Sequence, residues 1–86
     1  MVRLKYRSEA LVYLEILTEL AKGPIGPTKL SRRVNISYDR LPPLIDRLVA
    51  FGAVRKELRE GREEYFLTPT GAQLLSDLEK VRPVLE

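Results

Sequence analysis

Lys29, Arg32 and Arg33 stand within a short stretch that contains no acid. Arg3, Lys5 and Arg7 form a second acid-free cluster at the N-terminus. Grouped ammonium and guanidinium groups suit phosphate, which they hold by charge-assisted hydrogen bonds. Ser37, Tyr38 and Arg40 add two hydroxyls, an aromatic face and a further guanidinium. Arg59 and Arg62 bracket Glu60 and Gly61. Arg can enter a narrow minor groove, and a glycine lets the backbone approach a partner closely. The chemistry on offer is recognition of a polyanion. Covalent chemistry is poorly served, because the 86 residues include no His and no Cys. Disulfides, thiolate or imidazole zinc sites and imidazole acid–base systems are therefore ruled out. Glu63 and Glu64 are not a catalytic pair, since neighbours on a strand point to opposite faces. We expect no enzyme, no cofactor and no metal.

The elements that hold these residues follow from composition and periodicity. The length suits one domain, because two cores of about 40 residues each would be too small to fold unaided. A hydrophobic content of 44% is enough for a packed core. Nothing approaches the apolar run a membrane span needs. The basic start, followed by an apolar run broken by Glu15 and Glu19, is no signal peptide. The expected location is the cytoplasm. One Asn, one Gln and abundant Arg and Glu fit a hot-growing organism. Lys and Arg number 15 against 12 Asp and Glu, for a net charge of +3. That modest excess permits a nucleic-acid partner.

Residues 1–7 alternate apolar and basic and read as a short strand or a basic arm. Ser8 is placed to cap a first helix that ends at Gly23-Pro24. Its main stripe is Ala10, Tyr13, Leu14, Leu17, Leu20 and Ala21. Val12 and Ile16 lie off that stripe, on a face that is either more core or a contact with another subunit. Thr28 is expected to cap a short second helix ending near Val34, with Asn35 left-handed behind it. Ser37 is expected to cap a third helix that stops at Gly52, with Leu41, Leu44, Ile45 and Leu48 inward. Pro42 and Pro43 leave two alternatives. Either this helix is kinked, or it starts near Leu41 and Ser37 to Arg40 form a turn. From Ala53 the period changes to two, and a hairpin turns at residues 59–62. Thr68-Pro69 opens a last helix, which Pro83 ends or kinks.

Three helices, a hairpin and a helix describe a winged helix, an α+β fold that is mainly α, here one domain over 1–86. The helix-turn-helix and wing span 8–68, and 69–86 hold the C-terminal helix. Thr28 to Val54, TKLSRRVNISYDRLPPLIDRLVAFGAV, resembles the helix-turn-helix of archaeal winged-helix transcriptional regulators and of MarR-type regulators. Tyr65 to Gly71, YFLTPTG, is similar to their passage from wing to last helix.

The resemblance implies double-stranded DNA as partner and transcriptional regulation or a chromatin-type role. It places Ser37, Tyr38, Arg40, Pro42 and Pro43 at the groove-facing start of the third helix, Arg47 further along, and Arg59 and Arg62 at the wing tip. Lys29, Arg32 and Arg33 suit the backbone that the second helix crosses. The third helix is itself neutral, with Asp39 and Asp46 against Arg40 and Arg47. Backbone binding is thus better supported than base reading. The alternative function is a protein-interaction winged helix in a transcription or replication assembly. In the archaeal relatives the last helix often dimerises. Leu74, Leu78, Val81 and Leu85 have seam spacing, and with Val12 and Ile16 they are the expected homodimer surface.

Overall fold

The computed structural model describes residues 8–85, with the side chain of Leu85 excepted. The basic arm or strand expected at 1–7 lies outside the described residues, as does the side chain of Leu85 in the expected dimer seam. The elements run α1 (Glu9–Ala21), α2 (Pro27–Arg33), α3 (Leu41–Phe51), β1 (Val54–Arg59), β2 (Arg62–Leu67), α4 (Pro69–Lys80) and α5 (Arg82–Leu85). This is the expected winged-helix order.

Ser8 caps α1 as its residue type requires, its Oγ accepting from the Leu11 N–H at 3.1 Å. The helix is packed on several sides, by α2, β2, α4 and α5. That crowding buries Leu11, Leu14, Ile16, Leu17 and Leu20. Ile16 is completely buried in the core beside Leu17, and Val12 packs half-buried against the same cluster. The expected use of Ile16 between subunits is corrected accordingly, while Val12 keeps part of its surface exposed. Leu74 and Leu78 of α4 also pack on that cluster.

Helix α2 begins two residues earlier than expected, at Pro27 instead of Lys29. Gly26 is its cap, without a side-chain bond, and Pro27 takes the first helical position. The correction has a simple cause: that position has no use for the N–H that proline lacks. Asn35 follows with φ of +57°, the left-handed turn its residue type favours.

Helix α3 starts at Leu41, and residues 38–40 form a turn. Of the two alternatives, the unkinked helix is observed. Pro42 and Pro43 occupy the first turn, where backbone N–H groups have no helical partner. Ser37 is therefore not the cap; Arg40 holds that position and makes no side-chain capping bond. At the other end Gly52 is left-handed at φ +89°. The Ala53 N–H reaches back to the Leu48 carbonyl at 2.8 Å, and the Gly52 N–H to that of Val49 at 2.9 Å. This paired closure is a Schellman motif.

The hairpin extends further than the alternation suggests, pairing Val54 with Leu67 through to Arg59 with Arg62. Only Glu60 and Gly61 turn, both at positive φ (+54° and +78°), as a two-residue type I′ loop requires. A third short segment joins the sheet, because Ile25 bridges to Tyr65 on the other edge of β2. Thr68 caps α4 through the Gly71 N–H at 2.9 Å, with Pro69 at the first position. The helix breaks at Val81, before the single turn of α5 that contains Pro83.

Gly71 sets how closely α4 approaches the wing. A Cβ on Gly71 would lie 2.1 Å from the Ala53 carbonyl oxygen, a distance no packing tolerates. Gly71→Ala should therefore destabilise the domain by about 3 kcal/mol or more, the upper range of overpacking costs. Urea unfolding of the two proteins measures this.

Candidate nucleic-acid interface

Two of the expected phosphate ligands, Lys29 and Arg32, project from α2 into solvent. They line one wall of an open cleft of about 650 Å³. Tyr38, from the turn before α3, and Arg62, from β2, complete it. Residues 33 positions apart in the chain, Lys29 and Arg62, thus share one concave surface. Among the described residues, Lys29, Arg32, Arg40 and Arg62 have no ion-pair partner. Ser37, Arg40 and Pro43 are exposed at the start of α3.

Two carboxylates, Glu63 and Glu64, also line the cleft, and both are engaged. Glu63 accepts a hydrogen bond from the Tyr65 hydroxyl at 3.2 Å. Burial and this neighbouring carboxylate push the hydroxyl far above the ordinary tyrosine range, so it stays a donor. Glu64 faces Arg59 across the hairpin at 3.6 Å.

The other expected cations are held elsewhere. Arg33 turns towards α1, 3.5 Å from Glu19, which also takes the Lys22 ammonium at 2.9 Å. Arg47 is bound to Glu9, and to the Tyr13 hydroxyl at 3.3 Å. Those two contacts, the hydroxyl first, raise its pKa above the already high guanidinium value. Arg59 is the partner of Glu64. The structure thus gathers Lys29, Arg32, Tyr38 and Arg62, leaves Arg33 and Arg47 paired on other surfaces, and holds Arg59, directly opposite Arg62 on the hairpin, in a pair with Glu64.

Two contributors escaped the sequence reading. Asp46, an outward carboxylate on α3, is neutralised by Lys56 of β1 at 3.1 Å. Strand alternation puts Lys56 on the inner face, yet no local signal announces its partner. Ile25 is the second. Its N–H bonds the Tyr65 carbonyl at 3.3 Å and its carbonyl accepts from the Tyr65 N–H at 2.9 Å. A lone bridge residue between Pro24 and Gly26 has no periodicity to betray it. Among the described residues, no three acidic, His or Cys groups come together to hold a metal.

This architecture defines a winged helix, and the chain belongs to the winged helix-turn-helix family, whose model matches residues 6–86. Among solved structures it is similar to Sso10a-2, a DNA-binding protein from Sulfolobus solfataricus, with a TM-score of 0.83. The identity there is 23%, over 91% of this chain and 81% of that one. It is also similar to the transcriptional regulator BldR from Sulfolobus solfataricus (TM-score 0.80, 23% identity, 87% of this chain, 56% of that one). A MarR-family transcriptional regulator from Silicibacter pomeroyi matches at a TM-score of 0.76 and 26% identity, over 86% of this chain and 51% of that one. The chain therefore spans about half the length of the latter two. A search of curated sequences returns no significant match.

The Glu19 cluster makes stability depend on acid. The hydrogen bond from Lys22, that charge itself and Arg33 hold the Glu19 carboxyl below its ordinary 4.5, against the opposing effect of burial. A carboxyl depressed on folding stabilises the fold above its unfolded pKa, and the contribution fades as pH falls through the folded value. The melting temperature should fall between pH 5 and lower values by a smaller amount in Glu19→Gln than in the native chain. Thermal melts across that range test it.

Proposed function

We propose that this chain binds double-stranded DNA as a winged-helix transcriptional regulator, gripping the phosphate backbone through the cleft between α2, the Ser37–Arg40 turn and the wing. The convergence of Lys29, Arg32 and Arg62 around Tyr38, with no acid left unengaged in the cleft, carries this reading. Duplex DNA presents closely spaced phosphates, and unpaired cations displace their counterions. The printed descriptions of the similar structures, a DNA-binding protein and two transcriptional regulators, support it.

Base reading falls to few groups. Pro42 and Pro43 lack N–H donors, so the first turn of α3 offers little to a base edge or a phosphate. Arg40 is the guanidinium available there, and Tyr38 and Ser37 supply hydroxyls. Arg33, Arg47 and Arg59, each already paired, contribute less than Lys29, Arg32, Arg40 and Arg62.

The chain further acts as a homodimer through the end of α4 and through α5. Val81 is 45% exposed and Val84 85% exposed, which continues the stripe of Leu74 and Leu78 beyond the domain's own core. Paired copies would cover these valines and present two clefts to one duplex. Light scattering should give twice the chain mass for the native protein. Val81→Glu/Val84→Glu should return the monomer mass with the fold unchanged.

A shift assay titrated with salt tests DNA binding. Four phosphate contacts per chain predict a log–log slope of about −3.6 for each chain bound. Lys29→Ala/Arg32→Ala should flatten that slope by about 2 on every sequence, while Arg33→Ala leaves it nearly unchanged. Arg40→Ala should alter sequence preference, by up to about 3 kcal/mol at a base it reads bidentately. Absence of duplex binding at about 50 mM salt would sink the reading, since unpaired cations bind polyanions most tightly there.

A further inference from the structure

The cleft between α2 and the wing holds two groups that a phosphate backbone does not call for. Tyr38 lines it with a ring that is 58% exposed. Glu63 lines it with a carboxylate. A carboxylate repels phosphate, and an aromatic ring adds no charge to attract it. The two groups lie near one another. After burial and Glu63 itself, Tyr38 is the next neighbour that raises the Tyr65 hydroxyl. Glu63 accepts from that hydroxyl through one oxygen, Oε1. Its other oxygen has no hydrogen-bond or ion-pair partner among the described residues. A carboxylate oxygen has two lone pairs, so Oε1 keeps accepting capacity as well. Lys29 and Arg32 of α2 line the same cleft without ion-pair partners among the described residues. Its volume of about 650 Å³ falls within the range of small-ligand sites, roughly 300–1,000 Å³.

We propose that this cleft binds an unpaired guanine nucleotide, its base stacked on Tyr38 and its Watson–Crick edge on Glu63, with the adjoining phosphate held by Lys29 and Arg32. A cationic groove with an aromatic face is how proteins hold unpaired strands, and such a face stacks any base. The carboxylate chooses among bases. Guanine offers two adjacent donors on its Watson–Crick edge, the ring N1–H and the exocyclic amine. They match the two oxygens of one carboxylate, as the fork of an arginine does. Cytosine and adenine place one amine there beside a ring nitrogen that repels an acceptor. Thymine places one N–H between two carbonyl oxygens. Glu63 thus supplies a base preference that cations alone cannot. The site shares Lys29 and Arg32 with the duplex reading and stands independently of it. A paired guanine has this edge occupied, so duplex and unpaired guanine compete for the cleft.

The test measures fluorescence anisotropy of short labelled oligo-dT, with and without a central dG, on the full chain, Glu63→Gln, Tyr38→Ala and Tyr38→Phe. Circular dichroism confirms that the variants fold. The native chain should bind the dG strand about tenfold more tightly than oligo-dT, the discrimination expected of one bidentate pair. A central dA or dC should give no such gain. Glu63→Gln should lose the preference and yet bind duplex more tightly, because a charge that repels phosphate is gone. A role confined to holding Tyr65 predicts no loss of base preference. Tyr38→Ala should weaken both strands about tenfold, and Tyr38→Phe should keep the native affinity. Displacement of the dG strand by dGMP, and not by dTMP, upholds the site and adds the free nucleotide as a ligand. Equal affinity for the dG strand and oligo-dT, or a preference that survives Glu63→Gln, overturns the proposal and leaves the duplex reading intact. A preference for dG in a chain that shifts no duplex upholds the site and overturns the duplex reading.

Discussion

Two reciprocal hydrogen bonds between Ile25 and Tyr65 hold the wing against the helix-turn-helix, and the candidate interface depends on them. Ile25 lies in the connector directly before α2, so the bridge sets the wing's position relative to the first residues of that helix. Tyr65 is buried and fills the space beneath. Arg62, three residues nearer the tip along β2, is thereby carried to the same cleft as Lys29 and Arg32. Further ties act from the other side. Thr68 donates its hydroxyl to the Gly52 carbonyl at 2.5 Å, Gly71 seats against Ala53, and Lys56 is paired with Asp46. An isolated two-stranded hairpin is marginal in water. This one is anchored at its base, along the outer edge of β2 and through the Lys56–Asp46 pair.

Charge pairing decides which cations are available. Exposed ion pairs add little stability, but they commit side chains to directions. Glu19, Glu9 and Glu64 occupy Arg33, Arg47 and Arg59. Lys29, Arg32, Arg40 and Arg62 are left facing solvent. A net charge of +3 therefore understates one face of the molecule. Asp46 is likewise paired, with Lys56, while Asp39 stays exposed in the turn before α3.

The first turn of α3 shows how a helix start can be built without a capping side chain. Proline at two successive positions removes donors that would otherwise need partners. The N–H of Arg40 is taken by the Ser37 carbonyl at 3.0 Å, and Arg40 at the cap position forms no ion pair among the described residues. For the DNA binding proposed here, those absent N–H groups cannot contact a base or a phosphate.

Element types and their order were legible from local patterning: Ser8 and Thr68 as caps, Asn35 and Gly52 as left-handed stops, and the change of period at the wing. Short-range physics governs these features, since each depends on residues within a few positions. Boundaries were less legible where two local options competed, as with Gly26 and Thr28, or Ser37 and the prolines. Ile16 was misread because a helix wheel does not say how many neighbours surround it. Which basic residues stay unpaired was invisible, because Arg47 and Glu9 or Lys56 and Asp46 come together only on folding. The close approach of Gly71 to Ala53 and the bridge of Ile25 to Tyr65 belong to the same class. Such contacts join residues far apart in the chain, and no periodicity encodes them.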